Sequence, residues 1–422
     1  MDYVFTLQRG FDTPLLRKVI VHLAHLSLTN FRNYARLELS LPPSIVVLQG
    51  ANGQGKTNLL EAVYYLATSR SPQTTTDREL INWLADDEPL PYARLVADVR
   101  RGNAAHRIEI TLVKQPNTGP NGFRLQKQVR VNGVNKRTLD LLGQMPVVLF
   151  RPQDIELVAG SPSARRHYLD VTLCQIDPRY ARALLQYNRV LAQRNALLRE
   201  LRERGGDRDQ LLFWDQKLSE DGAYLLLRRQ ALVADVLVRA QPLHLTLTDG
   251  RDRLNLRYVP SFGMNISQAD YQLPLAFAEP EMTPGGSVQD IAGAFASRLR
   301  EVRREEIARG MTVIGPHRDD LMITANDVDL RTYGSRGQQR TAVLSLKLAE
   351  VQVIQEAVGE PPLLLLDEVM SELDRERRRC LMDTIERANQ ALLTTTEWQV
   401  FTPEFLDKTL RLTVCEGRIE PV

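Results

Sequence analysis

The chain has 422 residues, enough for two or three domains, or for one large domain carrying a lobe, with cores that need no covalent staples. Its 54 basic and 52 acidic side chains leave a formal charge of +2, so composition alone does not announce a nucleic-acid binder and any such surface must be local. Cys174, Cys380 and Cys415 stand far apart without CxxC spacing, which excludes a disulfide framework and a zinc site and fits a reducing cytoplasm.

Of the basic residues 46 are Arg and 8 are Lys, spread along the whole chain, so a lone arginine pair carries little weight. No apolar run approaches the roughly 18 to 20 residues that cross a bilayer. The start, Met1 to Lys18, mixes Asp2, Arg9, Asp12, Arg17 and Lys18 among apolar residues, unlike a secretory signal.

In chain order, residues 1–21 read as an extension. His22 to Leu28 alternates with a strand period. After Pro42-Pro43, the run Ser44 to Gln49 is short, β-branched and apolar, as a buried strand should be. From Asn58 to Ala67 the apolar residues Leu59, Leu60, Ala62, Val63, Leu66 and Ala67 recur at helical spacing. Residues 94–134 predict several strands, including Arg107 to Val113, with a turn at Asn132-Gly133 and a loop over Gln115 to Gly122. Helices are predicted over Tyr168 to Glu203 and Leu211 to Ala240, interrupted at Gly205-Gly206. Residues 241–285 lose that period, with strand-like alternation at His244 to Thr248 and breakers after Pro260, and helix resumes over Val288 to Arg309. Heptads are not sustained, so the insert is expected to be a compact lobe rather than a coiled-coil arm.

Three segments carry chemistry. The string Gly50-Ala51-Asn52-Gly53-Gln54-Gly55-Lys56-Thr57 lies between a predicted strand and a predicted helix, which is the order a phosphate cradle needs. Its glycines let backbone N–H groups turn inward, Lys56 reaches the β/γ-phosphates of ATP, and the Thr57 hydroxyl ligates Mg²⁺. The apolar run Pro361 to Leu366 ends in Asp367-Glu368. Asp367 is expected to hold Mg²⁺ through water and Glu368 to polarise the attacking water as general base. Tyr333-Gly334-Ser335-Arg336-Gly337-Gln338-Gln339-Arg340 precedes a helical pattern, and Ser335 at a helix N-terminus makes a second anion site or a plain N-cap.

The order of glycine loop, distant serine loop and acidic strand resembles ABC ATPases, where the serine loop of one subunit closes on the γ-phosphate held by another. Met370-Ser371-Glu372-Leu373-Asp374 resembles the D-loop. The strand Ala391 to Thr396 ends in hydroxyls where ABC transporters usually carry a switch histidine, so a transporter motor is the less expected reading. With these, Leu28 to Tyr34, Ser69-Arg70-Ser71, Phe150-Arg151-Pro152-Gln153-Asp154, Gly160-Ser161-Pro162, Arg165-Arg166 and Gly315-Pro316-His317-Arg318-Asp319-Asp320 resemble, in order along residues 22–420, the RecF family of bacterial DNA replication and repair proteins.

That resemblance implies an α/β fold: an ABC-type P-loop ATPase head with an antiparallel β subdomain, and a helical lobe inserted between the P-loop and the signature motif. The expected division is residues 22–160 and 310–422 for the two parts of the head and 161–309 for the lobe. It further implies a cytoplasmic ATP-dependent DNA-binding protein with slow ATPase activity, an ATP-gated homodimer acting at junctions or gaps in DNA, with RecO and RecR as partners. Gln153 stands where many members carry an acidic residue, and where ABC proteins keep a metal-sensing glutamine. An ATP-binding scaffold with negligible hydrolysis and a transporter-type ATPase subunit are the alternatives. Open too are Tyr34, with Arg32 and Asn33, as an adenine contact or a simple turn, and His317 as a catalytic or a hydrogen-bonded structural residue. Arg165, Arg166 and the series Arg298, Arg300, Arg303, Arg304 and Arg309 are either a DNA surface or, for the helical series with its glutamates, a solvated face.

Overall fold

A computed structural model describes residues 21–87, 89–102, 104–116, 123–262 and 287–422; the expected N-terminal extension except Val21, which opens the first strand, most of the loop before Gly122 and most of the breakers after Pro260 lie outside them. The chain begins with the hairpin β1 (Val21–Phe31) and β2 (Tyr34–Ser40), then β3 (Ile45–Gln49) and α1 (Lys56–Thr68). Strands β4 (Tyr92–Arg101), β5 (Ala104–Pro116), β6 (Phe123–Val131) and β7 (Val134–Lys136) follow, and β8 (Val147–Phe150) leads into the short α2 (Glu156–Ala159). The helical part comprises α3 (Pro162–Ile176), α4 (Pro178–Arg204) and α5 (Leu211–Leu247), then β9 (Leu254–Val259) and α6 (Val288–Arg309). The remainder is β10 (Asp320–Ala325), β11 (Val328–Asp329), α7 (Arg336–Val358), β12 (Leu363–Asp367), α8 (Arg375–Arg387), β13 (Ala391–Thr395), α9 (Pro403–Leu406), β14 (Leu410–Cys415) and β15 (Arg418–Pro421).

These strands make an antiparallel sheet ordered β2-β1-β4-β5-β6-β7, a second sheet ordered β15-β14-β3-β13-β12-β8, and a small sheet β11-β10-β9. In the second sheet all neighbours are parallel except β15. Its central strands read as unbroken apolar runs because both faces are covered. Val46, Leu48, Leu363, Leu365 and Leu392 face α1 and the antiparallel sheet, while Val47, Leu364, Leu366 and Leu393 face the helical layer. Caught between two sheets, α1 buries almost every side chain, Glu61 included, and Glu61 is neutralised by Arg32 through two bonds of 2.8 Å. The arrangement is an ABC-type P-loop ATPase head with an antiparallel β layer and a helical layer.

Local chemistry explains where the elements differ from the sequence pattern. In β1 the alternation slips, since a bulge between Leu23 and His25 lets Leu23 and Leu26 both face the core. Asn132 and Gly133, at φ 52° and 77°, make the two-residue turn that joins β6 to β7. The long helix expected from Tyr168 breaks at Asp177, whose carboxylate accepts from Arg179 and Tyr180 N–H groups at 2.9 and 3.0 Å while Pro178 takes the first helical position. The strand expected at His244 to Thr248 is instead the end of α5, which continues past Pro242 for a total of 37 residues. His244 and Leu247, three apart, are both buried, and His244 Nδ1 lies 3.1 Å from Ser345 Oγ on α7. Packing against α7 selects the helical period over the alternating one.

Two buried polar clusters hold the helices to each other and to the small sheet. Arg194 on α4 is fully buried and donates to Asp215 on α5 at 2.8 Å, Glu306 on α6 at 2.6 Å and Thr312 at 2.8 Å. In the other cluster Arg229 donates to Asp170 and to the Pro316 carbonyl, and Tyr258 donates to Asp319 at 2.6 Å. His317 belongs here as a structural residue. Its Nε2 lies 3.2 Å from the Thr312 carbonyl, which only accepts, so Nε2 carries the proton and Nδ1 accepts from the Tyr187 hydroxyl at 2.7 Å.

Breaking a buried charge cluster by removing one partner costs about 3 to 5 kcal/mol, because the remaining charges stay buried. Arg194→Ala is therefore expected to lower unfolding free energy by about that much, with a deficit that narrows as the pH approaches the carboxyl range; urea denaturation followed by circular dichroism checks it. Burial lowers His317 from its ordinary 6.5 to about 4. Between these values the unfolded chain binds more protons, so this contribution is complete above 6.5 and is lost as pH falls towards about 4. The same denaturation series should show a shallower acid slope in that window for His317→Gln.

Candidate functional site

The glycine loop leaves β3 at the carboxyl edge of the parallel sheet, where α/β folds bind ligands. Gly50 donates to the Thr395 carbonyl at 3.2 Å, and a Cβ there would lie 2.4 Å from the Val414 carbonyl oxygen, so only glycine lets the loop pass. Gly55 caps α1 at φ 113°, a left-handed conformation, and a Cβ on it would meet the Asn33 amide at 2.5 Å. The loop is clamped from outside by two hairpin turns. Asn33 donates to the Gln54 carbonyl at 3.1 Å, Gly417 N–H does so at 3.1 Å, and Glu416 N–H reaches the Gln54 side chain at 2.7 Å.

Inside this loop Lys56 is 3% exposed. Its Nζ donates to the carbonyls of Gly50 at 2.7 Å and Ala51 at 3.0 Å, and pairs with Glu368 Oε1 at 2.9 Å. Thr57 and Thr394 both donate to Asp367 Oδ1 at 2.9 Å. The Thr394 hydroxyl also accepts from the Glu368 N–H at 2.9 Å, holding Glu368 at φ 53°. Burial raises the Asp367 carboxyl above its ordinary range, against the two hydroxyls that lower it.

A hard divalent cation fits this chemistry. It would relieve the buried Asp367 carboxylate, and Thr57 and Asp367 are the residues placed to hold it. Among the described residues no group of three His, Cys, Asp or Glu could hold a metal. That is compatible with Mg²⁺, which takes one or two protein oxygens and fills its shell with phosphate oxygens and water. The N-terminus of α1, the loop N–H groups and Lys56 together suit a polyphosphate.

The other predicted residues sit apart from this pocket. Ser335 is the exposed N-cap of α7, accepting from Gln338 N–H at 3.3 Å while Gln338 Oε1 accepts from Ser335 N–H at 3.1 Å, so its own chain gives it a capping box and no contact with the loop among the described residues. Arg340, in the second turn of α7, pairs with Glu372 of the D-loop-like segment at 3.0 Å. Gln153 is exposed in the turn after β8, whose last residue Phe150 pairs with Leu366 of β12. It lines a cavity of about 120 Å³ with Tyr64, His167 and Glu350, and among the described residues no hydrogen bond joins its side chain to Thr57 or Asp367.

Several candidates take structural roles instead. Tyr34 is fully buried and donates to the Gly55 carbonyl at 2.9 Å, bracing the loop from below, which leaves it no face for an adenine. Arg165 is 2% exposed and grips Asp320 with two bonds of 2.6 and 3.0 Å, and Arg166 donates to the Asp319 carbonyl at 2.8 Å. In the helical series, Arg303 reaches the buried Asp215 at 3.0 Å, while Arg298 and Arg309 pair with Glu301 and Glu305 on their own helix. Glu416 and Gly417 carry no motif in the sequence, and Asn33 and Thr394 stand there only within the segment Leu28 to Tyr34 and a strand ending in hydroxyls. Their only signals are a strand ending in threonines and two short turns, and it is the sheet order that brings them to the loop.

Among the described residues no helix is long and apolar enough to cross a membrane. Residues 22–420 match the family model described as the RecF/RecN/SMC N terminal domain. The DNA replication and repair protein RecF of Roseiflexus castenholzii is 43% identical over 411 residues, covering 95% of this chain and all of that protein. The RecF protein of Herpetosiphon aurantiacus is 42% identical over 409 residues, with 95% and 100% covered. A solved structure of the recombination mediator protein RecF with ATP, in the RecFOR pathway, superposes with a TM-score of 0.81 at 30% identity, covering 97% of this chain and 99% of that one. A second, of RecF with ATPrS, gives 0.80 at 31% identity, with 96% and 99% covered. With its glycine loop, its acidic strand and this full-length likeness, the chain belongs to the RecF family of DNA replication and repair proteins.

Proposed function

We propose that the chain binds ATP with Mg²⁺ at Gly50 to Thr57, hydrolyses it slowly, and uses it to gate a homodimer on DNA during recombinational repair and the processing of replication gaps in the cytoplasm. Junctions or gaps in DNA are the proposed substrates, and RecO and RecR the proposed partners, by analogy with the solved RecF proteins of the RecFOR pathway.

The observation that carries this reading is the ion pair between Lys56 and Glu368 at 2.9 Å beside the Thr57 and Asp367 pair. A triphosphate in the loop competes with Glu368 for Lys56, and so links nucleotide entry to release of a carboxylate at the end of β12. Once released, Glu368 is free to orient water as general base, while Mg²⁺ neutralises phosphate charge. The donors on the far side of the γ-phosphate must come from elsewhere, and the exposed N-terminus of α7 with Ser335 supplies them from a second copy. Dimerisation then follows nucleotide state, because loss of the γ-phosphate removes the shared ligand.

Lys56→Ala is expected to abolish ATP binding and ATP-driven dimerisation, read by nucleotide-dependent sedimentation. Glu368→Gln should keep ATP binding, slow turnover about a hundredfold or more, and leave the dimer long-lived. Ser335→Arg places a bulky cation at the proposed junction, and an undiminished ATP-dependent dimer in that variant would rule the composite site out. The reading as a scaffold with negligible hydrolysis draws on the Glu368 side chain being held by Lys56; absence of phosphate release in a single turnover with DNA present would favour it.

A further inference from the structure

A wide cavity lies far from the glycine loop. It has a volume of about 520 Å³ and sits where the C-terminal end of α1, the β6 and β7 hairpin, and helices α3 and α4 meet. From Lys56 to Thr68 α1 spans about 20 Å, so this cleft is at the opposite end of the helix that carries Lys56 and Thr57.

Its chemistry is divided. The wall is aliphatic, with Val129, Leu139, Leu142, Val171, Leu184 and Leu185, and it contains no Phe, Tyr or Trp. The rim is cationic, with Arg70, Lys127, Lys136, Arg137 and Arg189 against the one carboxylate Asp170. Asp170 is already committed to Arg229 at 2.7 Å. Lys127 is held by Asp77 at 3.2 Å and Arg137 by Asp140 at 3.3 Å, whereas Arg70, Lys136 and Arg189 have no ion pair among the described residues. Ser69, 5% exposed and lining the cleft, has a hydroxyl with no hydrogen-bond partner among the described residues. Finally, β7 is the last strand of its sheet among the described residues, so its outer edge offers backbone groups that no other described strand takes.

We propose that this cleft receives an acidic peptide segment of a partner protein, extended along the β7 edge, with an aliphatic side chain in the Leu142 and Leu184 wall and carboxylates on Arg70, Lys136 and Arg189. Each feature selects for it. An open strand edge with an adjoining side-chain pocket is the geometry of strand addition. The unpaired cations demand negative charge. A single strand would meet the cations equally well, but unpaired bases are held by aromatic platforms, and the wall here has none, while a duplex offers phosphates to the rim and no aliphatic group to the wall. The buried Ser69 hydroxyl takes a polar group of the peptide. The proposal concerns a site distinct from the nucleotide loop and does not rest on the ATPase reading.

The test uses the full chain and fluorescent peptides in which two leucines are flanked by aspartates and glutamates at several spacings, read by anisotropy. At least one peptide should bind saturably, with affinity falling as salt rises. Lys136→Glu with Arg189→Glu should weaken it about tenfold or more, as should Leu185→Asp or replacement of the peptide leucines by serine, with ATP binding and sedimentation unchanged. The proposal is overturned if no peptide of the set binds, if affinity is the same in all variants, or if oligo-dT displaces the peptide, which would assign the cleft to nucleic acid.

Discussion

Asp367 Oδ1 is the point at which the molecule is tied together. It accepts from Thr57, the first turn of α1, and from Thr394, the end of the neighbouring strand, both at 2.9 Å. That oxygen is buried, and burial of a carboxylate is tolerable only with strong donors or a cation beside it. The register of the parallel sheet supplies the donors, since Asp367 lies directly across from Thr394 and Thr395 across from Gln49. A slip of one residue in either pair would turn the carboxylate into the helical layer. The apolar runs on β3, β12 and β13, split between two cores, are what forbid that slip.

The two ends of the proposed catalytic cycle are fixed to different layers. The glycine loop is clamped by Asn33 and Gly417 from the antiparallel side, and its helix α1 is locked there by Arg32 and Glu61. The serine loop starts α7, which is fastened to the helical layer through Ser345 with His244 and through Glu350 with Thr172. These helices lie on opposite faces of one sheet. Any rotation of the helical layer about that sheet moves Ser335 as a body with α7, and leaves Lys56 where it was.

Much of this was legible in the residues. The strand, glycine loop and helix around Lys56, the apolar run ending at Asp367, and the N-cap at Ser335 all depend on neighbours in sequence, and each folds as its local pattern dictates. What was not legible depends on distance. Tyr34 reads as an adenine contact or a turn residue until its hydroxyl is seen on Gly55, and Arg165 reads as a basic surface until Asp320, 155 residues later, is found to neutralise it. His244 to Thr248 fits two periods equally over five residues, and only α7 decides between them. The break at Asp177-Pro178 carried a sequence signal, an acidic N-cap followed by proline, that the longer helical period masked.

Arginine illustrates why composition could not locate function. With 46 of them in the chain, the informative property of each is what already balances it. Arg194, Arg165 and Arg229 are spent inside the protein on carboxylates, holding α3, α4, α5, α6 and β10 together. Arg303 and Arg309 are answered by acids on α5 and α6. The cations left without a counter-charge around the β7 edge stand out only after these pairs are removed. The near-zero net charge is thus the sum of an interior that is balanced pair by pair and a surface where balance fails locally, and it is the local failure that can attract an anionic partner.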